Sequence, residues 1–199
     1  MINMEIRNNE LVIKGYINAV CRDSREIPSP KGKFVEQVNA GVWTRSLASN
    51  KDISLLLNHD WNRKLGSTTE GNVLLKEDNI GLHAELRTID ADTIQKAREN
   101  RLVGWSFGFN KTKDTWGKTD DGIDRRYLED INLIEVSLLD DTQIPAYIGT
   151  SIESRDNKEV MTEQRFLKDD IEIKDFTKEI EVRKVNQDLK RRLLIELEL

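Results

Sequence analysis

The sequence predicts a mainly β chain with few helices, an α+β fold whose strands form a barrel-like core with helical decoration. Three observations carry this expectation. An alternating, β-branched run spans Leu11 to Val20; two long extended stretches, Ser106 to Trp116 and Arg125 to Leu139, flank a polar loop from Gly117 to Gly122; and the clearest helix signal, Asp90 to Arg101, is short and polar. The chain of 199 residues is long enough for one buried core and an appendage.

Taken in order, the strand from Leu11 runs up to polar Arg22-Asp23-Ser24, and Pro28, Pro30 and Gly32 then predict a loop without regular structure. Phe34-Val35-Glu36 resumes the extended pattern, and Val42 to Leu47 suggests a short helix or turn. Ile53 to Asp60 reads as the next strand, with Ile53, Leu55, Leu57 and His59 on one face. Asn72 to Lys76 and Gly81 to Arg87 predict a hairpin around Glu77-Asp78-Asn79, and Asp90 or Asp92 caps the helix that follows. From Ser151 to Leu199 there is no glycine or proline, charge is dense, and Ile173, Phe176, Ile180, Leu189, Leu193 and Leu197 recur at helical spacings. That predicts a division into a domain over 1–150 and a charged helical tail over 151–199.

A net charge of −5 with interleaved signs leaves no basic footprint for nucleic acid or an anionic membrane. The single cysteine, Cys21, excludes an intramolecular disulfide and, with two histidines, leaves too few ligands for a structural zinc site, so neither a metal nor another cofactor is expected. Residues 1–10 lack the apolar centre of a signal peptide, and no run approaches the length of a membrane span. The expectation is a soluble cytoplasmic protein.

Two segments hold chemistry. Asn58-His59-Asp60 closes an apolar run, and Gly104-Trp105-Ser106-Phe107-Gly108-Phe109 sets a serine among glycines and aromatics. Serine is a weak nucleophile unless a base takes its proton, and His59 can be that base or a structural histidine at a strand end. In an extended strand Gly104, Ser106 and Gly108 share one face and the three aromatics the other. The serine face is then open to a substrate, or packed under a neighbouring element. Glu135 is placed by phase on an apolar face with Ile131, Leu133 and Leu139, where a carboxylate needs a partner. A histidinium at His59 is one candidate, Arg125 or Arg126 another. Asp60 points away from His59 on a strand, His83 reads as surface-facing, and Cys21, in phase with Ile13, Ile17 and Ala19, reads as buried filler rather than as a thiol nucleophile working with His59.

The ordered set Lys14-Gly15-Tyr16, Ala40-Gly41-Val42-Trp43, Leu56-Leu57-Asn58-His59-Asp60 with Leu65-Gly66, Gly81-Leu82, Ser106-Phe107-Gly108-Phe109, Leu133 to Leu138 and Pro145-Ala146 resembles the HK97-type prohead (capsid maturation) serine proteases of tailed bacteriophages over roughly Leu11 to Ala146. The resemblance implies a herpesvirus-protease-like β-barrel ringed by helices and peptide-bond hydrolysis, with Ser106 as nucleophile, His59 as general base and Glu135 at the acidic third position. It also implies action within the assembling procapsid in the host cytoplasm, on the major capsid protein and a scaffolding protein or domain. It allows self-association, and it makes the tail a removable, targeting or scaffold-binding piece. The Pro28 and Pro30 loop and Ala40-Gly41-Val42-Trp43 depart from the family pattern. The competing expectation is a non-enzymatic capsid-assembly or scaffolding protein with an inactive barrel.

Overall fold

The computed structural model describes residues 2–143, 152–155, 158–166, 171–177, 183–187 and 190–191. Strand β1 (Ile2–Arg7) turns through Asn8 and Asn9, both at positive φ, into β2 (Glu10–Ala19), so that Arg7 pairs with Glu10. This first strand was missed because its charged residues resemble a polar terminus. The alternation of Met4 and Ile6, both buried, with Glu5 and Arg7 was the signal. Strands β3 (Ile27–Ser29) and β4 (Gly32–Val38) form a hairpin where the prolines predicted irregular structure. Pro28 is tolerated there because β3 is an edge strand, whose outward side needs no N–H donor.

Helix α1 (Val42–Ser49) follows, then β5 (Ser54–Leu57), β6 (Asp60–Ser67), the hairpin β7 (Val73–Glu77) and β8 (Gly81–Thr88), and helix α2 (Ala91–Arg98). Asp90 caps α2 by accepting the Thr93 N–H at 2.8 Å. The cap of α1 is supplied from elsewhere, since Gly41 has no side chain to offer. Glu77 accepts the N–H groups of Gly41 and Thr44, each at 2.7 Å, and so places a carboxylate at the positive end of the helix.

The long strands β9 (Leu102–Lys118) and β10 (Asp124–Asp140) pair antiparallel along their length, as the two extended stretches predict. On its other side β10 meets β4 over its first part and β5 over its second, both parallel. Among the described residues the strands form two open sheets rather than a closed barrel: a five-stranded sheet and an eight-stranded one. Their apolar faces share one core that includes Ile13, Ile17, Leu86, Trp43, Phe107 and Phe109, with Trp43 edge-on to Phe107 at 5.0 Å.

Among the described residues after 151, the helical expectation fails in three segments. Strands β11 (Ile152–Arg155) and β12 (Lys158–Phe166) extend the larger sheet beyond β9, and β13 (Ile171–Asp175) pairs parallel with β1. The apolar spacing that suggested a helix begins only at Ile173, so it never applied to β11 or β12. In both cases an existing sheet edge supplies the hydrogen bonds that decide an ambiguous sequence. In β13 the alternation of half-buried Ile173 with exposed Glu172 and Lys174 is a strand pattern. Residues 183–187 are helical, and Ile180, Leu189, Leu193 and Leu197 lie outside the described residues.

Candidate active site

His59 is not the last residue of a strand face. Leu57 pairs with Asp60, so Asn58-His59 is a two-residue hairpin loop between β5 and β6, with φ of 57° and 60°. Positive φ at both positions is what a type I′ turn requires, and asparagine tolerates it better than most residues. The turn is tied to the end of β10. The Asn58 N–H donates to the Leu138 carbonyl at 2.8 Å, and Asn58 Oδ1 accepts the Asp140 N–H at 3.0 Å. Burial pushes the Asp140 carboxyl up, but hydrogen bonds from Thr142 and the Asn58 side chain, with the charge of Lys96, outweigh it and hold the group below the usual carboxylate range.

Glu135 sits on a different face from the one that strand phase assigns. Leu133 pairs with Phe109 and Glu135 with Gly108, so Ile134 is the extra residue of a β-bulge. The bulge resets the alternation. Leu133 shares the side of the core aromatic Phe109, whereas Glu135, Ser137 and Leu139 share the side of Gly108, Ser106 and Gly104. Helix α1 props the irregularity: Ser46 Oγ accepts the Leu133 N–H at 2.8 Å, and Asn50 Nδ2 donates to the Leu133 carbonyl at 2.7 Å.

The structure therefore brings Glu135 to His59, with Oε1 2.7 Å from Nδ1. The other carboxyl oxygen, Oε2, accepts the Ser137 hydroxyl at 2.5 Å, and Ser137 Oγ accepts the His59 N–H at 3.2 Å. Glu135 is 3% exposed, and a Cβ at Gly108 would lie 2.5 Å from Oε1. The space left by this glycine holds the carboxyl. The arginine alternatives for Glu135 are engaged elsewhere, Arg125 with Asp23 and Arg126 with Glu36.

Ser106 is directly opposite Ser137 in the β9–β10 ladder, so its side chain projects on the face that carries Glu135 and Ser137. It is fully buried, and Trp105, Phe107 and Phe109 behind it are fully buried as well, as the alternation predicts. The second imidazole nitrogen of His59, Nε2, is buried and has no hydrogen-bond partner among the described residues. An imidazole held at Nδ1 by a carboxyl, with Nε2 uncommitted, can take a hydroxyl proton.

The remaining candidates separate from this group. Asp60 is exposed and accepts from Asn62. Cys21 is exposed, not buried filler: β2 ends at Ala19 and Cys21 lies beyond it at a φ of 54°, where strand phase no longer applies. Among the described residues no group of three or more His, Cys, Asp or Glu side chains is gathered as a metal site, and no helix is long and apolar enough to cross a membrane. Sequence reasoning missed Asn58 and Ser137. Ser137 had a signal, since it shares the period of Glu135.

A buried serine on the same sheet face as a histidine–carboxyl pair defines the class of candidate nucleophilic hydrolases. The model of the Caudovirus prohead serine protease family matches residues 2–165, and the chain belongs to that family. Comparison with curated proteins and with solved structures finds no match. The chain is thus a serine protease with a role in phage capsid maturation.

Proposed function

We propose that Ser106 is the nucleophile, His59 the general base and Glu135 the residue that orients the imidazole, and that the protease cleaves the major capsid protein, a scaffolding protein or domain, and itself. His59 Nε2 takes the Ser106 proton as Oγ attacks a peptide carbonyl. The imidazolium then gives that proton to the leaving amine; water, deprotonated by the same nitrogen, attacks the acyl carbonyl, and the proton passes to Ser106 Oγ as the acyl–oxygen bond breaks. Glu135 accepts from Nδ1–H throughout, which keeps Nε2 the acceptor and balances the charge of the imidazolium. The observation that carries this reading is the 2.7 Å contact between Glu135 Oε1 and His59 Nδ1, with Nε2 left unpartnered and Ser106 on the sheet face that carries Glu135.

Self-cleavage draws support from the tail. Strand β12 runs antiparallel along the outer edge of β9 with Gln164 at the register position opposite Ser106. An extended segment of the chain's own tail beside the nucleophile is what a removable piece over 151–199 requires, with 1–150 as the protease domain. Since Ser106 is fully buried, a substrate reaches it only after its cover is displaced. The place of action is the assembling procapsid in the host cytoplasm.

Coexpression with the cognate capsid protein, read by intact mass, tests the reading. Wild type is expected to shorten both the capsid protein and itself, while Ser106→Ala and His59→Ala leave both at full mass. Cleavage that survives Ser106→Ala would sink the assignment.

A further inference from the structure

We propose that Ser137 is a positioning residue of the protease site, acting on His59 through Glu135; the inference rests on the reading of Ser106, His59 and Glu135 given above. A carboxyl held by one hydrogen bond still turns about its terminal torsion, which is broad for glutamate. Here both oxygens are held: Oε1 lies 2.7 Å from His59 Nδ1, and Oε2 accepts the Ser137 hydroxyl at 2.5 Å. The hydroxyl has a single proton, so donating it to Oε2 leaves Oγ as an acceptor, and that acceptor receives the His59 backbone N–H at 3.2 Å. One side chain therefore fixes the carboxyl plane and the backbone of the turn that presents the ring.

The surroundings leave this task to Ser137. On the opposite ladder position Gly108 has no side chain to donate, and the site is closed to solvent, with Ser137 0% and Glu135 3% exposed. Loss of the hydroxyl would strand Oε2 in a buried place, and the least costly response is rotation of the carboxyl away from Nδ1.

The test is covalent labelling of the full chain by a fluorophosphonate, which reacts with an activated serine. It is read as maximal rate and half-saturating concentration for wild type, Ser137→Ala, Ser137→Cys and Ser137→Thr. Labelling of wild type at Ser106 once its cover has been released by self-cleavage or limited proteolysis, abolished in Ser106→Ala, establishes the parent reading; no labelling of wild type after that release overturns that reading and this one together. With the parent reading standing, Ser137→Ala is expected to lower the maximal rate about 10- to 100-fold at unchanged half-saturation. Ser137→Thr, which keeps the hydroxyl, restores it, and Ser137→Cys, a near-isosteric weak donor, falls between them. Thermal melting of each variant separates this from a structural role, which would lower the melting temperature and leave the rate of the folded protein intact. A maximal rate in Ser137→Ala equal to that of wild type overturns the inference, as does a change confined to half-saturation.

Discussion

Gly108 and Glu135 face each other across the β9–β10 ladder so closely that a methyl group on the one would lie 2.5 Å from Oε1 of the other. The contact converts an absent side chain into the seat of a carboxyl. It also gives the glycine pattern around Ser106 a meaning different from the open substrate face that the sequence suggests.

Gly108→Ala is accordingly expected to leave the fold in place while displacing Glu135 from His59. Loss of orientation of this size costs about 10²-fold in catalytic rate. The check is the rate of capsid-protein cleavage beside a thermal melt. A variant that cleaves at the wild-type rate would show that the carboxyl has room to move without consequence.

Ser46 supports the bulge from outside the site. Its hydroxyl accepts the Leu133 N–H at 2.8 Å, and both partners are buried. Ser46→Ala leaves that N–H without an acceptor and is expected to cost about 1–3 kcal/mol in stability. Urea denaturation of the two proteins measures it. Activity should fall with stability, because the same bulge decides which face Glu135 occupies.

The Asn58 turn can be dissected by two substitutions. Asn58→Ala loses the acceptor for the Asp140 N–H and puts a residue of ordinary backbone preference at a φ of 57°. Asn58→Gly loses the acceptor alone. The alanine variant should be the less stable by about 1 kcal/mol, the left-handed backbone cost, in a denaturant titration. Equal stabilities would remove backbone strain from the account of this turn.

Asp90 gives a pH dependence with a definite sign. Burial raises its pKa, but the hydroxyl and N–H of Thr93 and the charge of Arg63 outweigh that and hold the carboxyl below its ordinary value. A folded value below the unfolded one means that the group's contribution is complete above its unfolded pKa, about 3.9, and is lost as pH falls through the folded value. Asp90→Ala is therefore expected to lower stability by about 1 kcal/mol at neutral pH, as for loss of an N-cap. The gap between the two proteins should close in thermal melts taken at progressively lower pH below 4. A gap that widens on acidification would reverse the sign and reject the account.

Much of this protein was legible in its sequence because the relevant signals are local. The alternation of Trp105, Phe107 and Phe109 with Gly104, Ser106 and Gly108 places the aromatics in the core and the serine on the other face, and both features hold in the sheet. The cap at Asp90 and the hairpin of β7 and β8 were read from capping and turn residues for the same reason. The failures share the opposite cause. A strand phase does not extend to Cys21 and His59 because both residues lie at positive φ, outside the strand, and β12 and β13 owe their extended form to sheet edges contributed by β9 and β1.

The sequence by itself determined the family, the apolar alternation that builds the core, and the serine, histidine and glutamate that form the candidate site. Only the tertiary structure decided that Glu135 meets His59. That contact depends on a bulge at Ile134, which turns the carboxyl onto the serine's face, and on a two-residue turn, which turns the imidazole toward it. A bulge is a mismatch between two strands, and the bond that steadies this one comes from a helix far away in sequence. Periodicity along one strand carries no information about either, because the choice is made by hydrogen bonds that form only once the partners are in place.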